Sequence, residues 1–211
     1  GGQIVKKLLV LFLTICLGVI LGACGSTETA KNSGDSNKAD KNEESASEKE
    51  NASTQEDENI KAKNIFTNKK LNIKGTVGPM KYHISGIQLK EMEPKNKETA
   101  SLLGVKVGDK VNAITIEMSG ENTSDKDISF YLGQATIVTN TKEQLEPEML
   151  LSEHIEGEYL GKVKNEGHNV YILKKSSVKD LKSIEIRISA PTNKNIDTLG
   201  KDVKHTIKVN N

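Results

Sequence analysis

The chain has 211 residues with 30 basic and 29 acidic side chains, for a formal net charge of +1 that divides into +2 over residues 1–24, −4 over residues 25–63 and +3 over residues 64–211. Binding to a nucleic-acid backbone needs a cluster of many basic side chains, and a net charge of +3 over residues 64–211 is too small to indicate one. Nucleic acid is therefore not an expected partner. Both cysteines, Cys16 and Cys24, lie in the first 24 residues, so no disulfide is expected in the rest of the chain.

Residues 1–23 have the pattern of a secretory signal peptide. Lys6 and Lys7 form a basic region, and the sixteen residues from Leu8 to Ala23 carry no charge. As a helix this run would be about 24 Å long, shorter than the ~30 Å hydrocarbon core of a membrane. The pattern therefore favours a signal peptide over a permanent span.

The apolar run ends in Leu21, Gly22, Ala23 and Cys24, which resembles the bacterial lipoprotein signal of leucine, two small residues and cysteine. The resemblance implies cleavage before Cys24 and a diacylglyceryl group on its thiol. Two acyl chains hold a protein on a membrane stably, whereas one holds it only marginally. We expect a lipid anchor on the extracytoplasmic face of the cell membrane. The alternatives are an ordinary secretory signal or an uncleaved anchor helix.

Residues 24–63 predict a disordered polar tether. Ile60 is their one large apolar side chain, so burial cannot offset the entropy of ordering this tract. A flexible chain of this length spans roughly 35 Å, enough to hold a folded domain, residues 64–211, away from the bilayer. The alternative is a tract that folds on a partner.

Lysine supplies all basic residues of the chain except Arg187. This preference for lysine is typical of AT-rich coding and indicates a Gram-positive source.

From residue 64 onward, short alternating segments predict β-strands. Eight strands are expected, at residues 71–76, 80–89, 111–118, 128–131, 135–139, 169–173, 183–189 and 203–209. In the second, Met80, Tyr82 and Ile84 alternate with polar residues, and the phase shifts at Gly86, which predicts a bulge. Residues 119–126 predict a polar turn, and residues 98–103 a short helix that ends at Gly104.

No long helical segments lie between these strands to serve as crossovers, so an all-β antiparallel sandwich is favoured. Residues 78–210 show a particular order of predicted elements. A strand with a central glycine comes first, then a strand that leads into Glu121, Asn122 and Thr123, then a gap, and finally strands around Tyr171 and Ile186. This order resembles the immunoglobulin-like domain of uncharacterised bacterial lipoproteins, related in fold to the immunoprotective extracellular antigens. The resemblance implies an immunoglobulin-like β-sandwich and transfers no catalytic residue.

The titratable side chains of the domain suggest no metal or cofactor site. The histidines His83, His154, His168 and His205 lack the i, i+2 or i, i+4 spacing of paired ligands, and we expect each on the surface. We interpret His83 and His205 as lying on the polar faces of their strands. Oxygen ligands for calcium could come from six glutamates, but these lack the spacing of a calcium loop: Glu143, Glu146, Glu148, Glu153, Glu156 and Glu158.

The remaining candidates favour structure over catalysis. Ser85 and Ser119 each precede a glycine, but neither lies in a G-x-S-x-G elbow, so no enzyme activity is expected. Residues 122–124 match a glycosylation sequon, and we interpret them as a turn whose side chains bond to the backbone. Tyr131, Tyr159 and Tyr171 are interpreted as half-buried core residues, with exposed contacts as the alternative.

Residues 140–169 mix Leu145, Met149, Leu150, Leu151 and Ile155 with the glutamates. We interpret this segment as an edge strand with irregular turns that cover the core, and a recognition loop is the alternative. The expected function is a binding or interaction module that contacts an envelope or surface protein or a polymer. The alternative is a ligand-binding accessory subunit of an envelope transporter or sensor, which needs an apolar-lined pocket.

Overall fold

The structure, a computed structural model, describes residues 53–209. The predicted signal peptide, the Leu21 to Cys24 motif and most of the predicted tether lie outside these residues. No helix within residues 53–209 is long and apolar enough to cross a membrane. The described part contains the strands β1 (Thr54–Glu56), β2 (Ile60–Asn68), β3 (Ile73–Val77), β4 (Met80–Pro94), β5 (Val111–Asn122), β6 (Ile128–Ser129), β7 (Thr136–Thr139), β8 (Gln144–Leu145), β9 (Glu158–Tyr159), β10 (Lys164–Leu173), β11 (Ser183–Ile188) and β12 (Val203–Lys208), with helix α1 (Lys97–Leu102) and 3₁₀ turns at Leu132–Gln134 and Val178–Asp180.

Strand β4 is a central strand of a six-stranded antiparallel sheet. One of its edges pairs with β5 along nearly the whole strand, and β10 pairs with the far edge of β5. The other edge of β4 is shared by β3, opposite residues 80–84, and β2, opposite residues 87–94. Strand β1 adds to β2. This sheet therefore has two ends, which we call the Met80 end and the Pro94 end after the limits of β4.

A second antiparallel sheet has the strand order β12-β11-β7-β8, and β6 and β9 form a two-stranded ribbon. The inner side chains of both sheets form one continuous core. The prediction of an all-β antiparallel sandwich with one short helix is confirmed. All eight predicted strands occur, with bounds shifted by up to five residues.

The predicted bulge in β4 is present, because the register with β5 shifts between Ile84 and Gly86. Before the shift, Tyr82 and Ile84 are buried in the core; after it, Ile87 and Leu89 take over this position. A single extra residue reverses the side-chain alternation of a strand, and the bulge thus keeps apolar residues on the inner face along the length of β4.

Large side chains fill the space between the sheets. Phe130, Tyr159 and Tyr171 are fully buried there. Gly120 leaves room for this packing, since a Cβ atom at this position would lie 2.3 Å from the Tyr159 hydroxyl. Around these residues the space between the two sheets is therefore filled by packed side chains.

A second, smaller hydrophobic cluster lies on the outer face of the six-stranded sheet, at the Pro94 end. Met92, Val111 and Val170 project from the sheet, and Leu103 and Leu151 pack against them. The outer face is therefore covered at this end by α1 and by the connection that carries Leu151.

Helix α1 ends before Gly104 as its sequence predicts, and its first turn has an N-cap that the prediction did not include. The Asn96 side chain accepts a hydrogen bond of 2.9 Å from the Thr99 backbone N–H, which caps the first turn. Gly104 follows the C-cap residue Leu103 with a φ of +68°, a conformation that glycine adopts without steric cost.

The predicted domain start at residue 64 is wrong. Strands β1 and β2 lie within the predicted tether, and Ile60 and Ala62 are buried in the second cluster. Lys61 and Lys63 alternate with them and face solvent. Because these charged residues dominate the local composition, the sequence does not reveal that the other face of this strand is apolar. The predicted turn at residues 119–126 also begins too early, since β5 continues to Asn122.

We predict that Ile60→Asp lowers the free energy of unfolding by about 3 kcal/mol, because it places an unpaired carboxylate in the second cluster. The matched variant Lys61→Asp changes the neighbouring exposed position and is expected to cost less than about 1 kcal/mol. Urea denaturation of both variants measures the difference. Equal stability of the two variants would show that this segment does not pack on the domain.

Candidate functional site

A cleft of about 790 Å³ lies at the Pro94 end, between α1 and the connection that follows β8. Its apolar lining consists of Leu102, Leu103, Val105, Val111, Pro147, Met149, Leu150, Leu151, Ile172 and Leu173. Ser101, Lys110, Glu148 and Lys174 add polar groups to the lining. The cleft continues the second hydrophobic cluster outward, so its floor is built from packed side chains.

The connection that forms one wall is held to strand β10 by short hydrogen bonds. The Glu148 backbone N–H donates to the Val170 carbonyl at 2.7 Å. The Ser152 hydroxyl donates to the Glu148 carbonyl and accepts from the Val170 N–H, both at 2.9 Å. These bonds fix the two ends of a turn whose tip is Met149 and Leu150.

Met149 and Leu150 are 60% and 73% exposed, although Leu151 beside them is buried. Exposed large apolar side chains that border an apolar cleft mark a surface suited to binding. Lys110 lies at the rim, where its ammonium group is 3.4 Å from a Glu91 carboxylate oxygen. The arrangement can accept an apolar group in its centre and polar groups at its margin.

The predicted interpretation of residues 140–169 agrees with this architecture. Strand β8 is the edge strand of the second sheet, and Leu145, Leu151 and Ile155 are buried beneath irregular turns. Met149 and Leu150 carry the exposed apolar surface that sequence analysis associates with recognition. The partner wall, α1, was predicted as a helix but not as part of a site.

The six glutamates that sequence analysis grouped are dispersed. Within residues 53–209, no three acidic, histidine or cysteine side chains converge as metal ligands. Glu143 instead has a structural position: it is 7% exposed, and its carboxylate accepts hydrogen bonds from the backbone N–H groups of Lys174, Lys175 and Ser176 and from the Ser176 hydroxyl. It thus fixes the segment after β10 against β8.

Burial alone would raise the pKa of Glu143, but the hydrogen bonds from Ser176, Lys174 and Lys175 outweigh it and lower the pKa. The sequence did not predict this role. The residues that bond to Glu143 lie some thirty positions away along the chain, and only the pairing of the strands brings them together.

The prediction of a surface position is wrong for His168, which is 3% exposed. Its Nδ1 atom lies 3.1 Å from a Glu153 carboxylate oxygen, and residues 153 and 168 form a backbone bridge. Burial lowers the pKa of His168, with Glu153 acting in the opposite direction. The prediction holds for His154, which is exposed and lies 3.5 Å from Glu156.

His205 also departs from its prediction. It lies on the same side of β12 as the buried Val203 and Ile207, and its Nε2 atom is 2.8 Å from the Tyr82 hydroxyl. The prediction placed His205 on the outward face of β12, but the odd-numbered positions of this strand face inward. His83 does lie on the outer face of β4, where it is half-buried.

Two of the three tyrosines lie in the core, and the sequon forms a hydrogen-bonded turn. Tyr159 and Tyr171 are fully buried, whereas Tyr131 is exposed. Asn122 is buried, and its side-chain amide donates to the carbonyls of Lys126 and Gly161, at 2.7 and 2.9 Å. Its side-chain oxygen accepts from the Ser124 backbone N–H at 2.9 Å. The interpretation of residues 122–124 as a side-chain-bonded turn is confirmed.

The strand topology and the surface cleft define the class of the folded part as an all-β, sandwich-like domain. A solved structure of a functionally unknown protein from Listeria monocytogenes EGD-e is similar to it, with a TM-score of 0.56 and 11% identity over 71% of this chain and 88% of that chain. At this identity the likeness concerns the fold alone. A conserved hypothetical protein from Bacillus anthracis aligns with a TM-score of 0.38 and 10% identity, covering 68% of this chain and 97% of its own.

No protein-family model matches the chain. The chain is 32% identical over 142 residues to the SPbeta prophage-derived uncharacterized lipoprotein YonS of Bacillus subtilis (strain 168), an alignment that covers 61% of this chain and 69% of the relative. The chain belongs to the same family as this bacterial lipoprotein. The predicted resemblance to bacterial lipoproteins is thereby confirmed, and the immunoglobulin-like assignment stays a prediction.

We predict that Glu143→Gln lowers the free energy of unfolding by about 1–3 kcal/mol at pH 7, because charge-assisted hydrogen bonds are replaced by neutral ones. The lowered pKa means that this stabilisation is present above the ordinary pKa of 4.5 and is lost as the pH falls through the lower pKa of the folded state. Urea denaturation should therefore show a difference at pH 7 that narrows towards pH 3.

The control for this prediction is Glu146→Gln, an exposed position on the same connection. It is expected to change stability by less than about 0.5 kcal/mol at either pH. A Glu143→Gln protein as stable as the Glu146→Gln protein at pH 7 would contradict the anchoring role.

Proposed function

We propose that the protein is anchored by a lipid on Cys24 at the extracytoplasmic face of a Gram-positive cell membrane and acts there as a binding module. Membership of a family that includes a bacterial lipoprotein supports the anchor, as does the order of basic residues, apolar run, small pair and cysteine at residues 6–24. The packed interior supports a role through surface contacts. The proposal includes no catalytic step.

The single observation that carries the binding role is the apolar cleft with Met149 and Leu150 exposed along its wall. We propose that its occupant is an amphipathic segment of an envelope protein. The cleft is open at the surface, is apolar along its floor and has Lys110, Lys174 and Glu148 in its lining, which matches a segment with one apolar and one polar face. Methionine adapts to irregular apolar partners, so Met149 suits this role.

One observation favours the second candidate, a ligand-binding accessory to a transporter or sensor. The cleft volume of about 790 Å³ and its mostly apolar lining with a few polar groups fall within the range of small-molecule sites. A small apolar ligand that co-purifies with the protein and is displaced by Leu102→Glu would favour this candidate.

Cys24→Ala is expected to leave the precursor uncleaved and without lipid, because the thiol that would carry the diacylglyceryl group is missing. Labelling of cells with a radioactive fatty acid measures this outcome. Cys16→Ala is the matched control, since Cys16 follows bulky Thr14 and Ile15 in the apolar run, and it should be labelled normally. A labelled and processed Cys24→Ala protein would refute the anchor.

A photoreactive amino acid at position 150 is expected to crosslink one identifiable envelope protein in intact cells. The matched control is the same amino acid at Ile196, which is 82% exposed in a turn at the Met80 end. Leu102→Glu, which places a charge in the cleft, should abolish the crosslink from position 150. The same adduct from both positions, or an adduct that survives Leu102→Glu, would contradict a site in the cleft.

A further inference from the structure

A second concave surface lies on the outer face of the six-stranded sheet, at the Met80 end and far from the cleft. It has a volume of about 420 Å³. Strand register brings its side chains together in two rows. Lys74, His83 and Ser119 are neighbours across β3, β4 and β5. Lys81, Glu121 and Lys164 are neighbours across β4, β5 and β10. We call this surface the outer basin.

The outer basin contains more positive than negative charge, with three lysines and one glutamate in its lining. Lys164 is paired with Glu166 outside the lining, at 2.5 Å. Within residues 53–209, neither Lys74 nor Lys81 has an ion-pair partner. Two ammonium groups on neighbouring strands are therefore free of ion pairs, with the Glu121 carboxylate opposite Lys81 as the one negative charge in the lining.

His83 supplies a polar group that is shielded from solvent and unsatisfied. Its Nε2 atom has no hydrogen-bond partner in the described part of the chain. Shielded side-chain nitrogen atoms are normally hydrogen-bonded, so a single unpartnered one beside an open basin indicates a missing partner. Burial lowers the pKa of His83, as do the neighbouring Lys74 and Lys164, and Glu117 acts in the opposite direction. An imidazole ring carries an N–H group that can donate a hydrogen bond.

We propose that the outer basin binds a phosphate group, with Lys74 and Lys81 neutralising its charge and His83 Nε2–H donating a hydrogen bond to one of its oxygens. Phosphate matches this set because its oxygens accept several hydrogen bonds at once and are charged at neutral pH. The group can come from free phosphate or from a phosphodiester polymer. The basin is open at the surface, so either source can reach Lys74 and Lys81.

The test is isothermal calorimetry on the full chain in detergent, with inorganic phosphate and with poly(glycerol phosphate) as separate probes. Saturable binding of phosphate alone indicates the free ion, and tighter binding of the polymer indicates the phosphodiester source. Lys74→Gln combined with Lys81→Gln should weaken the affinity for either probe about tenfold, through loss of two charge-assisted contacts. His83→Ala should weaken it about threefold to tenfold.

The matched control is Lys204→Gln combined with Lys208→Gln, which removes the same charge from exposed positions on β12. It should change the affinity less than about twofold, because exposed charges far from a site are screened by salt. Equal weakening by both pairs would show non-specific attraction and overturn the proposal, as would failure of both probes to bind the wild-type chain. A circular dichroism melt of each variant confirms that the fold is retained. The cleft at the Pro94 end is untouched, so the crosslink from position 150 remains an independent measurement.

Discussion

The bulge between Ile84 and Gly86 in β4 is the constraint on which the rest of the structure depends. This strand pairs with three others and spans the full height of the six-stranded sheet. Without the extra residue, either Tyr82 and Ile84 or Ile87 and Leu89 would face away from the core, because strand alternation is strict. With it, both pairs face inward, and Met92 faces outward into the second cluster.

Two apolar faces on one sheet explain how the molecule distributes its functional surfaces. The inner face is buried in the packed core around Phe130, Tyr159 and Tyr171. The outer face is covered at the Pro94 end by α1 and Leu151, where incomplete coverage leaves the cleft, and it is uncovered at the Met80 end, where the outer basin lies. The two concave surfaces are thus separated by the length of β4 and differ in chemistry, one mainly apolar and one mainly basic.

Local patterns predicted the strands well but predicted the sites poorly. Met80, Tyr82 and Ile84 alternate with polar neighbours, which is a signal contained within one strand. Ile60 and Ala62 alternate with lysines in a segment of highly polar composition, so averaging over the tract concealed the strand. His168 and Glu143 were misjudged for a different reason: their surroundings come from residues 153 and 174–176, which no local pattern connects to them.

By itself the sequence determined the all-β class, the position of the bulge, the end of α1 at Gly104 and the turn at Asn122, because each depends on backbone preferences and alternation within a few neighbouring residues. It also predicted that residues 140–169 form an edge strand with irregular turns that cover the core, with a recognition loop as the alternative. Only the tertiary structure decided that these residues face α1 across a cleft, that Glu143 holds the segment after β10, and that Lys74, His83 and Lys81 share one basin. Those arrangements depend on strand order and register, which bring together residues far apart in the chain through long-range packing that a local pattern does not encode.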